Sequence, residues 1–281
     1  MFPEELTIEA LIEAVILFSI PISKNFGNVI AYDTKSDNTP VSVIDTEINA
    51  SFQEWSTRFK NLGFIGEEGN GDTGSKYLLL VDPLDGTEVF LRGIATCTTI
   101  ATILVVNDNG IGTPLLSVIY SPLTKEVWYA ENNKGAYKIS NGNAVRLSTA
   151  NPSDKIRTAI CAWPTASHNL ENISKRVGSN PLFSDQQIGA LGIGGALIAQ
   201  GTLDATVCGS TSATEMAAMT LLVREAGGVN IDLDNKPITS FQLGVWKDKQ
   251  EFLLPNGAIV AANQKVADSM LSFIRENRQS D

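Results

Sequence analysis

The sequence predicts an α+β protein built as one compact unit, with a cleft between two layered halves. Three observations lead there. Helix-period stretches at residues 4–26 and 43–60 give way to short β-branched and aromatic runs, strands and helices alternate after about residue 146, and no repeat or flexible linker separates the parts. The first half, 1–146, is then helices followed by an antiparallel sheet, and the second, 147–281, is α/β.

Each element has its own signal. The helix over 43–60 opens near Asp45 and carries Ile48, Phe52 and Trp55 at helical spacing. The run Tyr77-Leu78-Leu79-Leu80-Val81 stops at Asp82 and a Pro/Gly turn, as a buried strand does. Residues 98–106, 115–120, 126–130 and 135–139, divided by Asn, Asp, Gly and Pro, read as an antiparallel meander. Beyond residue 146 the patterns give strands at 155–162, 206–208 and 259–262. Between and after them fall helices at 169–177, 196–200, 213–226 and 266–277.

Composition narrows the function. With 43% hydrophobic and 19% charged residues and a mean hydropathy of +0.03, this is a globular chain. A net charge of −10 argues against nucleic acid, because phosphate backbones need clustered Lys and Arg. Bound cations can still reverse the local field for a small anionic substrate. Cys97, Cys161 and Cys208 are far apart in sequence and form no CxxC pair, which fits a reducing, cytoplasmic setting. The apolar stretch 10–22 contains Glu13 and Pro21, is too short to span a bilayer, and has no basic segment before it. A single histidine, His168, lies in a polar stretch and reads as a loop residue, so the chemistry falls to carboxylates.

Those carboxylates gather around Asp82-Pro83-Leu84-Asp85-Gly86-Thr87. Pro83 fixes φ and Gly86 permits a tight turn, so two acids can converge where a hard cation such as Mg²⁺ finds oxygen ligands. Thr87 offers a hydroxyl at a helix start, whose free amides suit phosphate. An isolated motif of this kind is equally a solvated turn. Glu67 follows the short strand Phe64-Ile65-Gly66, Asp45 lies near a helix start, and Glu215 near another, where an acid can serve simply as an N-terminal charge.

In order, Val41-Ser42-Val43-Ile44-Asp45, Gly66-Glu67-Glu68, the Asp82–Thr87 block with Phe90, and Glu215 to Gly228 resemble the inositol monophosphatase family. Lys134-Gly135-Ala136, Gly192-Ile193-Gly194-Gly195-Ala196-Leu197 and Gly201-Thr202-Leu203-Asp204-Ala205 match as well, so the resemblance spans about residues 5–275. That family includes inositol monophosphatases, bisphosphate nucleotidases and, more distantly, fructose bisphosphatases. The resemblance implies a five-layered α-β-α-β-α sandwich, a homodimer, lithium sensitivity and two or three Mg²⁺ ions. Its ligands would be Glu67, Asp82, Asp85, Glu215 and the Leu84 carbonyl. Thr87 and Glu67 would orient the attacking water, Thr87 passing its own proton to Glu67, with Asp45 behind them. Gly86, Thr87, Gly194 and Gly195 would touch the substrate.

The chain departs from the pattern in places. Thr214-Glu215 stands where the family usually has Trp-Asp, and Glu is one methylene longer, although fructose bisphosphatases resemble this chain there. Cys208 replaces a Glu that contacts inositol hydroxyls, and a thiol is a poor partner for a polyol; a small buried residue is its plainer role. Val89 replaces a frequent Asn; Thr87-Glu88-Val89-Phe90-Leu91 and Gly209-Ser210-Thr211-Ser212 are nearer the nucleotidase form, yet Thr214 replaces the aromatic residue expected there. Three readings follow: an Mg²⁺-dependent phosphatase of an inositol or sugar phosphate, a 3′(2′),5′-bisphosphate nucleotidase, or a catalytically weakened relative that binds a phosphorylated metabolite or protein.

Overall fold

Thr7 starts the first helix, its hydroxyl accepting the Ala10 amide at 3.3 Å, and α1 runs Ile8–Phe18. The computed structural model describes residues 3, 5–34, 40–69, 71–149, 155–161, 177, 180–185, 188–209, 211–246, 249–254 and 256–278. The helix expected over 4–26 is two, because a short second helix, α2 (Ile20–Asn25), begins with Pro21 in its first turn. A hairpin of β1 (Tyr32–Thr34) and β2 (Pro40–Ser42) leads into α3 (Val43–Ser56). Ser42 caps α3 in a capping box with Asp45.

Next come β3 (Leu62–Gly66), β4 (Tyr77–Asp85), the short α4 (Thr87–Leu91) and β5 (Thr98–Val106). The meander continues through β6 (Ile111–Ser121), β7 (Glu126–Glu131), β8 (Gly135–Ser140) and β9 (Asn143–Arg146). Strands β5 to β8 pair antiparallel as the alternation predicts, whereas β3 and β4 run parallel. The second half supplies β10 (Ile156–Cys161), β11 (Phe183–Asp185), α5 (Leu191–Ala199), β12 (Ala205–Cys208), β13 (Thr211–Ser212) and α6 (Thr214–Glu225). It ends with β14 (Val229–Ile231), β15 (Phe241–Trp246), β16 (Lys249–Leu254), β17 (Ala258–Ala261) and α7 (Gln264–Arg278). The helix expected at 169–177 lies outside the described residues except for Val177, as does His168.

Two sheets result. A ten-stranded sheet runs β13-β16-β15-β6-β5-β4-β3, with β7, β8 and β9 continuing from β6; a five-stranded sheet runs β11-β10-β12-β17-β14. Leu79, Val81, Ala101 and Val118 on one face of the large sheet pack against α1 and α3 through Leu11, Ile48 and Phe52. Its other face, with Leu78, Leu80, Ile100 and Trp128, packs on α5 and α6 through Ala196, Met216 and Met219. The small sheet joins that cluster through Val260, while its far face, Val207 and Ile259, buries Val266, Met270 and Ile274 of α7. The layers are therefore α-β-α-β-α, as the resemblance implies. Residue 146 does not divide the sheets, because β13, β15 and β16 come from beyond it and complete the large one.

Candidate metal centre

Asp82 and Asp85 are three apart, which on a regular strand places side chains on opposite faces. The pairing of β4 with β5 slips between them: Asp82 opposes Ile100 but Asp85 opposes Thr98, so one extra residue is inserted. That bulge turns both acids to one side. Pro83 sits inside it and costs the ladder no donor. Neighbouring threonines of β5 pin the bulge, Thr99 donating to the Pro83 carbonyl at 2.9 Å and Thr98 to Asp85 Oδ2 at 2.6 Å. Leu84 N–H donates to Asp82 Oδ1 at 3.0 Å. Gly86 then takes φ +85°, a left-handed conformation that only glycine adopts freely, and starts α4 at Thr87.

The third acid comes from the other half. Glu215 lies in the first turn of α6, a helix buried between the two sheets. One carboxylate oxygen from each of Asp82, Asp85 and Glu215 lies within 4.8 Å of the others. Asp82 and Asp85 are 1% and 4% exposed. Burial pushes the Asp82 carboxyl well up, and the charges of Glu67, Asp85 and Glu215 and a hydrogen bond shared with Glu67 add to this. Asp85 is pushed up to about 6, again by burial first, against the pull of hydrogen bonds from Thr98, Gly192 and Leu191. Buried acids crowded in this way favour a cation among them, and an all-oxygen donor set suits Mg²⁺. The residues fit the ion.

Asp85 also fastens α5. The Leu191 and Gly192 amides donate to its two carboxylate oxygens at 2.9 and 2.8 Å, so it satisfies that helix start from a distant strand. This is why α5 begins at Leu191 rather than at the expected 196. Gly194 and Gly195, expected at the substrate, are buried in α5, and a β-carbon on Gly195 would stand 2.5 Å from Met219 of α6.

Asp45 is 1% exposed and accepts from Ser42 N (2.9 Å), Ser42 Oγ (2.6 Å) and, through Oδ1, Thr87 Oγ1 (3.0 Å). Thr87 Oγ1 is also 2.9 Å from the Leu84 carbonyl. Asp45 and Leu84 thus each supply an acceptor for that hydroxyl. Burial raises the Asp45 carboxyl, the Ser42 bonds oppose the rise, and the Glu67 charge assists it. Cys208 is buried, its sulfur 3.5 Å from that of Met216, and burial pushes the thiol up to about 12. It is a packing residue. Sequence reasoning missed Ser42 as the partner of Asp45, Thr98, Thr99 and the α5 amides. Only the Ser42-x-x-Asp45 spacing carried a signal.

Comparison with known proteins gives a consistent picture. The inositol monophosphatase family matches residues 4–280. The 3′(2′),5′-bisphosphate nucleotidase CysQ of Aggregatibacter actinomycetemcomitans is 27% identical over 232 residues, 79% of this chain and 80% of that one. An inositol-1-monophosphatase of Mesorhizobium japonicum is 27% identical over 278 residues, 96% of each chain. Among solved structures, an IMPase/NADP phosphatase complexed with Mg²⁺ and phosphate superposes with a TM-score of 0.72 at 19% identity, covering 95% of this chain and 94% of that one.

Proposed function

This chain belongs to the inositol monophosphatase family, and from that premise we propose that it hydrolyses an inositol or sugar monophosphate in an Mg²⁺-dependent reaction. As a member of the family it is a phosphoric monoester hydrolase. The observation that carries the Mg²⁺ reading is the convergence of Asp82, Asp85 and Glu215, with Glu67 against Asp82. Two or three ions would be held by Glu67, Asp82, Asp85, Glu215 and the Leu84 carbonyl. Bound Mg²⁺ supplies the charge that neutralises a phosphate dianion and makes water acidic enough to deprotonate near neutral pH.

The chain's own groups do the rest. Thr87 donates its proton towards Asp45 Oδ1, which leaves a lone pair on Oγ1 for a proton of the attacking water. Asp45, its carboxyl raised by burial, is the acceptor at the end of that path. Gly86 and Thr87 contribute backbone amides to the phosphate. Homodimer formation, a cytoplasmic location and inhibition by Li⁺ belong to the same proposal. Among the described residues no helix is long and apolar enough to cross a membrane.

A second reading, a 3′(2′),5′-bisphosphate nucleotidase, is favoured by Cys208, which is buried beside Met216 and presents no partner for polyol hydroxyls. Turnover of inositol 1-phosphate against adenosine 3′,5′-bisphosphate, with Mg²⁺ and with chelator, separates the two. Activity is expected to vanish in chelator and in Asp82→Asn or Asp85→Asn. Either variant keeping most of its activity at saturating Mg²⁺ would overturn the metal reading.

A further inference from the structure

We propose that Asn49 is a positioning residue that holds the Glu67 carboxylate against Asp82, an inference that rests on the metal reading above. Asn49 follows Asp45 by one turn on the same face of α3. It is 6% exposed. Its Nδ2 donates to the Glu68 carbonyl at 2.8 Å, gripping the residue after Glu67. Its Oδ1 has no hydrogen-bond partner and is pressed onto Gly66, the residue before Glu67. A β-carbon at position 66 would stand 1.8 Å from that oxygen, so the contact exists only because residue 66 is glycine.

On the opposite side the same backbone is tied to the large sheet. Glu67 N–H donates to the Val81 carbonyl at 3.0 Å, and Gly66 pairs in register with Val81. Val81 precedes Asp82, so the sheet sets one edge of the Glu67–Asp82 relation and the Asn49 amide sets the other. A buried carbonyl without a partner destabilises the fold, and an aliphatic side chain would fill this space at lower cost. What an aliphatic chain lacks is the donor to the Glu68 carbonyl. Through Asp45 and Asn49, α3 thereby locates Thr87 and Glu67 together. Asn49 touches no reacting atom; it acts through the backbone on either side of Glu67.

The test uses the full chain with Asn49→Leu, which removes the amide without adding charge, and Asn49→Asp, which keeps its shape and removes the donor. Mg²⁺ binding is measured by calorimetry with MgCl₂, thermal midpoints are taken in chelator and in MgCl₂, and kcat and KM are measured separately. Both variants are expected to bind Mg²⁺ about 10-fold more weakly, in the range of losses seen when groups supporting metal ligands are removed. They should gain less thermal stability from MgCl₂ and lose kcat with KM within twofold of the parent. Wild-type Mg²⁺ affinity in both, whatever their midpoints in chelator, would reduce Asn49 to packing and overturn the proposal. So would failure of both variants to fold even in MgCl₂, since the residue would then serve the fold itself. Asp82→Asn is the control: if it too retains Mg²⁺-dependent stabilisation, the metal reading fails rather than the role of Asn49.

Discussion

Thr87 has one proton to give, and two acceptors within its reach are Asp45 Oδ1 at 3.0 Å and the Leu84 carbonyl at 2.9 Å. Residues 45 and 87 are 42 apart in sequence, so no spacing rule joins them. The acids of the candidate site were legible one by one, because each stands where an apolar run stops, in a Pro/Gly turn or near a helix start. Their mutual partners were not, since those depend on how α3 crosses β4. Thr87→Ala should lower kcat by about 10²–10⁴-fold, the usual contribution of a positioned proton acceptor. The Mg²⁺ concentration for half-maximal rate should move little, and Thr87→Ser should restore much of the turnover. Near-normal kcat in the alanine variant, measured at saturating Mg²⁺, would remove the hydroxyl from the reaction.

Among the elements, β4 was the most legible: five apolar residues ending at an acid predict a buried strand, and all nine residues of β4 are buried. The bulge within it was hidden, because register belongs to the pair of strands and not to either sequence alone. Helix α5 was half-hidden for a different reason. Gly192, Gly194 and Gly195 lower its helix propensity, and the acid that satisfies its first amides lies on β4. The β15–β16 hairpin escaped notice because Lys247-Asp248 separates its runs, without the Asn-Gly or Asp-Gly of a tight turn. At Gly195, α5 comes so close to α6 that a β-carbon would meet Met219 at 2.5 Å. Gly195→Ala should therefore destabilise the protein by about 1–3 kcal/mol through overpacking. Thermal or denaturant unfolding in chelator reads this directly. An unchanged midpoint together with a raised KM would assign Gly195 to the substrate instead.

For the whole molecule, the five layers bury acids at the centre of a chain that carries a net charge of −10. Asp85 is raised to about 6 in the folded protein from an ordinary value of 3.8. Between those values the folded state holds a proton that the unfolded chain has released. Its contribution to stability is therefore present below about pH 4 and is lost as pH rises through 6. In chelator, the stability of the parent relative to Asp85→Asn should fall by about 2 kcal/mol from pH 4 to pH 7. Saturating MgCl₂, which favours the ionised acid, should abolish that slope. Denaturant unfolding of both proteins across the range is the measurement; a flat difference in chelator would mean that Asp85 is not strained by its burial. The charge total was visible in the sequence, but its focus on one buried point was not. Neither was the sharing of the large sheet between halves that the alternation pattern had separated at residue 146.

That sharing has a consequence for how the protein is made. Leu78, Leu80, Ile100, Ile119 and Trp128 belong to a cluster completed by α5, α6 and the aromatic rings Phe241 and Phe252. A nascent chain that has just released residue 146 from the ribosome carries the greasy face of its sheet without a cover. That cover, residues 191–252, emerges 45 to 106 residues later, roughly 5–10 seconds at about ten residues per second. During that interval the half-made protein is a target for holding chaperones and for sticking to its own neighbours. A circular permutation that begins the chain near residue 180 would deliver the cover first, shortening the exposure without altering any residue of the metal centre.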